Sequence, residues 1–402
     1  MTENMSEAIT TREGNVRSER LLWVLTGATF LIFFQAYMVA PLLPRLAAVF
    51  HVSVEMAGLM VPAYLIAYGV ATLFYGLLSD RVGRRPIMIA SLSAFILLTA
   101  LTGFSQSAEQ LTIVRLLTGL GASGVVPLAL ALIGDLFPYR ERGRPLGWLF
   151  GAMAGGMAVG AVTGVMLEPF VSWRGLFFGV AAAATMVLAF LLPYRGLLGN
   201  KSGTARPTLG TLFSGYRTLL GSSRGQRTYA YVALNALFHS GVFTWLGVYF
   251  SRKYGLGDIG IGLALLGYGI PGFLLGPAIG RLADRYGRSH LIPVGLLIAG
   301  TSAAALSLDM PLIWAPILVT LLSVGYDLTQ PLLAGIVTDL GPNRGQAMGL
   351  NVFTLFVGFG SGSLLFGAML PFGIETALHV FGAGAILLGI LAAFLFRSEM
   401  HK

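Results

Sequence analysis

The stretch GLLSDRVGRRP at residues 76–86 has a similar second copy, GRLADRYGRS, at residues 280–289. Both copies contain Gly-x-x-x-Asp-Arg-x-Gly-Arg, and they are 204 residues apart. The same shift aligns further pairs, among them Phe34 with Phe238, Tyr64 with Tyr268, Pro127 with Pro331 and Asp135 with Asp339. Self-similarity at one fixed distance indicates an internal duplication. The chain is therefore predicted to consist of two equivalent halves.

The composition indicates that both halves are embedded in lipid. Of the 402 residues, 55% are hydrophobic and 11% are charged, whereas soluble domains carry about 25% charged residues. The mean hydropathy is +0.78. These values exclude a water-soluble globule and a disordered chain. The absence of Cys excludes a disulfide scaffold, thiolate metal sites and thiol catalysis.

Apolar windows long enough to cross a bilayer occur twelve times, since a spanning helix needs about 20 apolar residues. The predicted spans are 21–43, 56–78, 86–106, 110–136, 146–168, 173–193, 230–250, 259–280, 290–308, 311–338, 346–370 and 374–396. The windows are apolar on all sides rather than alternating, which argues against an outer-membrane barrel. We predict an all-α membrane protein with twelve helices in two parallel six-helix repeats.

The distribution of Lys and Arg predicts the orientation, because cytoplasmic loops are enriched in positive charge. With the N-terminus inside, 21 of the 26 Lys and Arg fall in inner segments and four in outer loops, while Arg115 lies within a span. Both termini are therefore expected in the cytoplasm. The net charge of +9 is explained as a topology signal, so nucleic acid is not an expected partner.

The spans divide the chain into a tail (1–20), an N-terminal half (21–193), a linker (194–229), a C-terminal half (230–396) and a second tail (397–402). Leucines and aromatic residues in the linker are spaced like one face of a helix. We predict an amphipathic helix on the inner membrane surface, with a mobile linker as the alternative.

These features resemble the major facilitator superfamily over the full chain, because the loop between the second and third helices occurs once in each half. The closest branch is that of the drug:proton antiporters, whose basic motif resembles Arg115–Gly121 in the fourth span. The fifth span is glycine-rich, as in that branch, and Trp173 and Arg174 follow it. Two positions depart from the branch: Ala161 replaces the proline of its Gly-Pro motif, and no acid precedes Pro41 in the first span.

The resemblance implies that the repeated loop acts as a conformational latch, which holds the halves together on the cytoplasmic side in the outward-open state. Carboxylates there can pair with arginines or accept from helix N-termini. The predicted latch residues are Gly76, Asp80, Arg81, Gly83, Arg84, Asp135, Gly280, Asp284, Arg285, Gly287, Arg288 and Asp339. The alternative is that the arginines only anchor the topology.

Polar residues within the spans identify a candidate pathway, because each buried charge in a membrane costs about 2.5–3.5 kcal/mol. The predicted substrate and proton pathway consists of Gln35, Tyr37, Arg115, Asn235, His239, Asp327, Gln330 and Asn351. Asp327 is the first candidate for proton binding, and Arg115 for an anionic substrate or a carboxylate partner. The alternatives are a hydrogen-bonded structural Asp, an Arg that snorkels outward or binds helix carbonyls, and a neutral packing role for His239.

No enzyme motif and no nucleotide-binding loop is visible, and no cofactor or metal is expected. The leading hypothesis is a monomeric secondary transporter of the cell inner membrane that exports a small organic solute in exchange for protons. Proton-coupled uptake of an organic anion is an alternative, and a ligand sensor without transport is an alternative of another class.

Overall fold

A computed structural model describes residues 2–137, 143–198, 209–271, 282, 285–341 and 344–399. For 2–15, Asp80, Asp135, Leu209, Leu212, Arg344 and Ser398 it describes the backbone alone. The helices are α1 (Thr2–Tyr37), α2 (Leu43–Phe50), α3 (Val54–Gly58), α4 (Met60–Val82), α5 (Arg84–Gly103), α6 (Ala108–Ala122), α7 (Val125–Leu136), α8 (Gly143–Leu191), α9 (Leu209–Gly221), α10 (Ser223–Tyr254), α11 (Asp258–Ala264), α12 (Arg288–Leu306), α13 (Trp314–Asp327), α14 (Gln330–Val337), α15 (Arg344–Met369) and α16 (Ile374–Leu395). Short 3-10 turns cover Ala40–Leu42, Leu192–Tyr194, Leu370–Phe372 and Arg397–Glu399.

Ten segments within these residues are long and apolar enough to cross a membrane. One of them, Arg144–Tyr194, has 51 residues and would be about 75 Å long as one straight helix. It contains the fifth and sixth predicted spans, and Ser172, with φ 60° and ψ 154°, interrupts the helix between them. The eighth predicted span extends beyond the described residues. The predicted all-α fold of twelve spans in two repeats is confirmed.

The duplication is visible in the packing of equivalent helices. In the N-terminal half α1 packs along α8, and in the C-terminal half α10 packs along α15 in the same way. The two loop motifs also share a backbone conformation: Gly83 has φ 105° and ψ 148°, and Gly287 has φ 80° and ψ 152°. A side chain disfavours such positive φ values, which explains why both copies of the motif carry glycine here.

Close helix approach explains the glycine-rich fifth span. A Cβ atom on Gly160 would lie 2.4 Å from the carbonyl oxygen of Phe34, and one on Gly156 would lie 2.5 Å from that of Phe30. Small residues allow such backbone contact, which supplies packing energy where lipid removes the hydrophobic driving force. The first and fifth spans are therefore packed backbone to backbone.

The two halves contact each other at one end of the bundle and near its mid-depth. We call the end with Gly83 and Glu399 the loop side and the opposite end the distal side. On the distal side, the Trp245 ring covers Gly58, and Arg252 Nη2 lies 3.5 Å from Glu55 Oε1 across the halves. Near mid-depth, α4 packs on α15, where Tyr68 stacks on Phe356 with ring centroids 4.4 Å apart. The structure is thus closed on the distal side.

The linker contains the helix α9, which packs on the C-terminal half. Tyr216 and Leu219 of α9 are buried against Val337, Ala347 and Leu350, and this burial raises the pKa of Tyr216 to about 12. Phe213 and Leu220 remain exposed.

The C-terminal end is also tied to the C-terminal half. Arg224 Nη2 lies 2.8 Å from Glu399 Oε2, and Arg227 also pairs with Glu399. Hydrogen bonding to Arg224 lowers the pKa of Glu399, with the nearby Arg227 charge adding to the effect. The linker helix and Glu399 are therefore held to one half.

Candidate functional site

His239 lies at the centre of an aromatic cluster that spans both halves. Its ring stacks on Tyr326 with centroids 3.7 Å apart, and its Nε2 is hydrogen-bonded to the Tyr268 hydroxyl. Phe243, one helical turn further along α10, stacks on Tyr268 at 4.0 Å. Tyr37 of α1 reaches Phe243 from the other half at 5.8 Å. We call these residues, together with Phe359, the aromatic chamber.

Two polar atoms in the aromatic chamber have no partner among the described residues. They are the Tyr37 hydroxyl and His239 Nδ1, on side chains with relative exposures of 4% and 2%. A cavity of about 10 Å³, room for about one water molecule, lies between the halves beside Tyr37 and is also lined by Ala36, Leu65 and Ser240. Buried polar groups are normally satisfied, so unpartnered atoms beside a cavity between two halves mark a candidate ligand site.

Asp327 lies at the end of α13, directly after Tyr326. Ser323 Oγ donates to Asp327 Oδ2 over 3.3 Å, and the Asp327 carboxyl is close enough to act electrostatically on Tyr268 and Tyr326. The side chain is half-buried. Asp327 is therefore adjacent to the aromatic chamber through the ring that stacks on His239.

Arg115 is fully buried in the N-terminal half and binds backbone. Its Nη2 donates to Ala36 O over 3.1 Å, its Nη1 to Gln35 O over 3.4 Å, and its Nε to Met60 O over 2.8 Å. Gln35 and Ala36 belong to the last turn of α1, where carbonyls lack helical donors and attract cations. The guanidinium also lies 4.7 Å from the centroid of the Tyr64 ring. Arg115 thus caps the broken end of α1 and ties it to α4.

The other predicted polar residues form two environments. Asn235 Nδ2 donates to Thr329 Oγ1 over 3.0 Å and to Gln330 Oε1 over 3.3 Å, which joins the seventh and tenth spans. Gln35 is fully buried, and neither side-chain amide atom has a hydrogen-bond partner in the described chain. Asn351 is also buried, with its side-chain carbonyl oxygen similarly unpartnered.

The predicted latch residues are only partly within the described structure. Gly280 and Asp284 lie outside it, as do the side chains of Asp80 and Asp135. In the second copy, Arg288 Nη1 lies 3.6 Å from Asp339 Oδ2, a pair within the C-terminal half. A Cβ atom on Gly76 would meet no other atom within 4 Å. Within the two motifs, the side chains of Arg81 and Arg285 are exposed and that of Arg84 is half-buried.

Sequence reasoning did not single out several residues that the fold brings to the site. Tyr326, Phe243 and Phe359 complete the aromatic chamber, and the spacing of Phe243 one turn from His239 was the available signal. Trp245 and Tyr249 of α10 are buried as well, and both donate to backbone carbonyls.

The fold and this central site define a membrane transporter with two six-helix halves. The family model of the Major Facilitator Superfamily matches residues 25–262 and 232–402, and the chain belongs to this family. A solved bacterial homologue of the human lysosomal transporter Spinster, inward-facing and unoccupied, has the same fold with a TM-score of 0.75 and 17% identity, covering 96% of this chain and 98% of that chain.

Several transporters are similar over most of their length. An uncharacterized MFS-type transporter, YceJ, of Bacillus subtilis is 28% identical over 86% of this chain and 88% of its own. Multidrug resistance protein 1 of the same organism is 26% identical over 88% of this chain and 90% of its own. A probable 4-methylmuconolactone transporter of Cupriavidus pinatubonensis is 24% identical over 87% and 81%. The family and fold indicate a secondary transporter of a small molecule, embedded in the membrane.

Proposed function

We propose that this protein exports a small aromatic solute from the cytoplasm in exchange for protons, with the aromatic chamber as its substrate site. The observation that carries the proposal is the chamber itself. It is formed by both halves, and it presents stacking surfaces together with the unpartnered Tyr37 hydroxyl and His239 Nδ1. Parallel-repeat transporters bind their substrates at such a central interface.

The chemistry of the chamber favours a weakly polar ring compound. Aromatic side chains provide offset stacking, which is worth about 0.5–1.5 kcal/mol per pair beyond area burial. The two free polar atoms offer hydrogen bonds that fix the orientation of a ligand. The multidrug resistance protein among the relatives supports export of such compounds.

The environment of Arg115 argues against the uptake of an organic anion. Its Nε, Nη1 and Nη2 groups already donate to three backbone oxygens. A guanidinium has five N–H groups, so an anion could use only the two that remain unless it displaced these bonds and uncapped the end of α1.

Asp327 is the proposed proton-binding group. A carboxyl group can take up and release a proton, and the half-buried Asp327 side chain lies beside the aromatic chamber. Its contact with Ser323, and its place next to the ring that stacks on His239, allow protonation to alter the chamber directly. We place the loop side on the cytoplasmic face of the inner membrane, as the distribution of Lys and Arg predicts.

The latch contributes to the conformational cycle in this proposal. Because the distal side is closed here, the proposed export cycle requires the halves to separate on the cytoplasmic side to admit the solute. In the opposite state, Asp80 and Asp135 would contact the other half on the cytoplasmic side. The Arg288–Asp339 pair lies at the equivalent position in the C-terminal half.

The test is reconstitution into liposomes with an imposed pH gradient and a panel of aromatic solutes. Solute-dependent proton movement out of acid-loaded, inside-out oriented vesicles is expected for the wild type. Asp327→Asn should abolish the proton movement while leaving solute binding within a few-fold of the wild type. The matched control, Glu109→Gln, removes an exposed carboxyl at the start of α6 and should behave as the wild type.

Each other outcome identifies a different function. Proton movement in the same direction as the solute would establish uptake. Solute binding without flux would establish a sensor. Unchanged proton coupling in Asp327→Asn would exclude Asp327 as the proton site.

A further inference from the structure

A second group of charges joins the two halves on the distal side, away from the aromatic chamber. Arg45 Nε lies 3.0 Å from Glu168 Oε1, and the Glu168 side chain is only 2% exposed. Arg45 and Glu168 both belong to the N-terminal half. Asp258, the first residue of α11 in the C-terminal half, is within hydrogen-bonding reach of the Glu168 carboxyl and feels the charge of Arg45.

This arrangement places two carboxyl groups and one guanidinium at the distal interface between the halves, which must separate when the distal side opens. α11 packs on α8 there, since a Cβ atom on Gly262 would lie 2.3 Å from Met166 Cγ. Two carboxyl groups in hydrogen-bonding contact cannot both be ionised without strong repulsion. One shared proton removes the repulsion and lets one carboxyl donate to the other.

The remaining charges near α11 are engaged elsewhere. At the end of α10, Arg252 pairs with Glu55 and Lys253 Nζ lies 3.5 Å from Asp309 Oδ1. Arg174 of α8 donates to a backbone oxygen, and the turn Ala40–Leu42 carries no ionisable side chain. Asp258 therefore responds chiefly to Glu168 and Arg45.

We propose that the carboxyl pair of Glu168 and Asp258 is a proton-operated switch that holds the distal side closed when protonated and releases it when the proton leaves. Loss of the proton to the external water leaves two negative charges facing one positive charge, and this imbalance drives the halves apart. The inference uses the proposed function only to assign the distal side to the outside.

The direction of the pH effect follows from the closed structure. Burial, and then the neighbouring Glu168 charge, raise the pKa of Asp258 above its ordinary value, and Arg45 only partly opposes them. Separation of the halves removes these causes. A group with a raised pKa in the closed state stabilises that state at low pH, and the stabilisation is lost as pH rises through the raised value. For one proton, the ratio of closed to open molecules changes by at most about tenfold per pH unit.

The test measures opening directly and needs neither a substrate nor transport. The chain has no Cys, so Gln106→Cys and Phe372→Cys place two spin labels on exposed distal positions of opposite halves without background. Pulsed electron paramagnetic resonance in lipid nanodiscs then gives the distance between the labels from about pH 4, the ordinary range of Asp, to about pH 8. In the otherwise wild-type chain, the long-distance population is expected to grow with pH.

Two variants and one control decide the result. Asp258→Asn cannot ionise, so the short distance should persist at every pH. Glu168→Gln leaves a balanced Arg45–Asp258 pair and should also stay closed at high pH, which provides a second test if the first variant folds poorly. Asp309→Asn removes an exposed distal carboxyl and should open like the parent chain. A parent distance independent of pH, or a pH response that survives in Asp258→Asn, would overturn the switch. Failure of proton-coupled export would leave this result unaffected.

Discussion

The replacement Arg115→Met tests whether the fully buried arginine of the fourth span acts as a helix cap or as a substrate ligand. Methionine retains an unbranched stem and removes every donor. The oxygens of Gln35 and Ala36, which lie in the last turn of α1, then lose the guanidinium as donor. Met60 O keeps its place in α4 and loses less.

The magnitude follows from the two capping bonds. A buried acceptor left without a partner costs about 1–3 kcal/mol in soluble proteins. Interhelical hydrogen bonds in membranes average about 0.6 kcal/mol. Loss of the two capping bonds, together with the interaction of the cation with the end of α1, is therefore expected to lower the free energy of unfolding by about 2–4 kcal/mol.

The assay is reversible unfolding in mixed detergent micelles, followed by tryptophan fluorescence. Arg144→Met is the matched control, because that side chain is 63% exposed and pairs at the surface with Glu19. A surface pair of this kind contributes about 0–1 kcal/mol. If Arg115→Met unfolds like the wild type but changes which solutes bind according to their charge, the capping role is wrong and Arg115 contacts substrate.

Three other predictions concern helix packing and the ends of the chain. Gly160→Ala should destabilise the protein by about 1–3 kcal/mol in the same assay, because the new methyl group meets the carbonyl oxygen of Phe34. In the control Gly151→Ala the methyl group has free space, so stability should not change. Equal stability of the two variants would contradict backbone contact between the first and fifth spans. Gly287→Ala should cost about 1–3 kcal/mol, because φ is 80° and ψ is 152° there, a conformation essentially restricted to glycine. The helical control Gly134→Ala should be neutral or stabilising, and no loss in Gly287→Ala would show that the loop backbone differs. Glu399 has a lowered pKa, so its stabilising effect is present above the ordinary Glu pKa of about 4.3 and is lost as pH falls. Glu399→Gln should remove this acid-dependent loss of stability from melting curves measured across pH. Unchanged curves would contradict the stabilising role of Glu399.

The sequence was sufficient to predict the architecture, because the apolar windows and the repeat depend on local composition alone. The two loop glycines, Gly83 and Gly287, show that the predicted equivalence extends to backbone angles. The interruption at Ser172 shows how two predicted spans with a short connection appear as one long helical segment.

The site was less predictable, because its partners come from different spans. Arg115 was identified as unusual, but its contact with the end of α1 depends on how three helices pack. Glu168 ends a span and Asp258 precedes another, so neither appeared as a buried charge in the sequence. Their contact depends on the closure of the distal side, which no local pattern encodes.

The most direct test of the account is whether solute occupies the aromatic chamber. Ser240 lines the cavity beside Tyr37 and is 2% exposed, and the chain has no other thiol once Ser240→Cys is introduced. Alkylation of this cysteine by a maleimide applied from the loop side should be slowed by up to about tenfold by an aromatic solute near 10 times its dissociation constant. A cysteine at the exposed Thr218 of α9 is the control and should react at the same rate with and without solute. Equal alkylation rates at Ser240→Cys with and without a transported solute would contradict the placement of the substrate in this chamber.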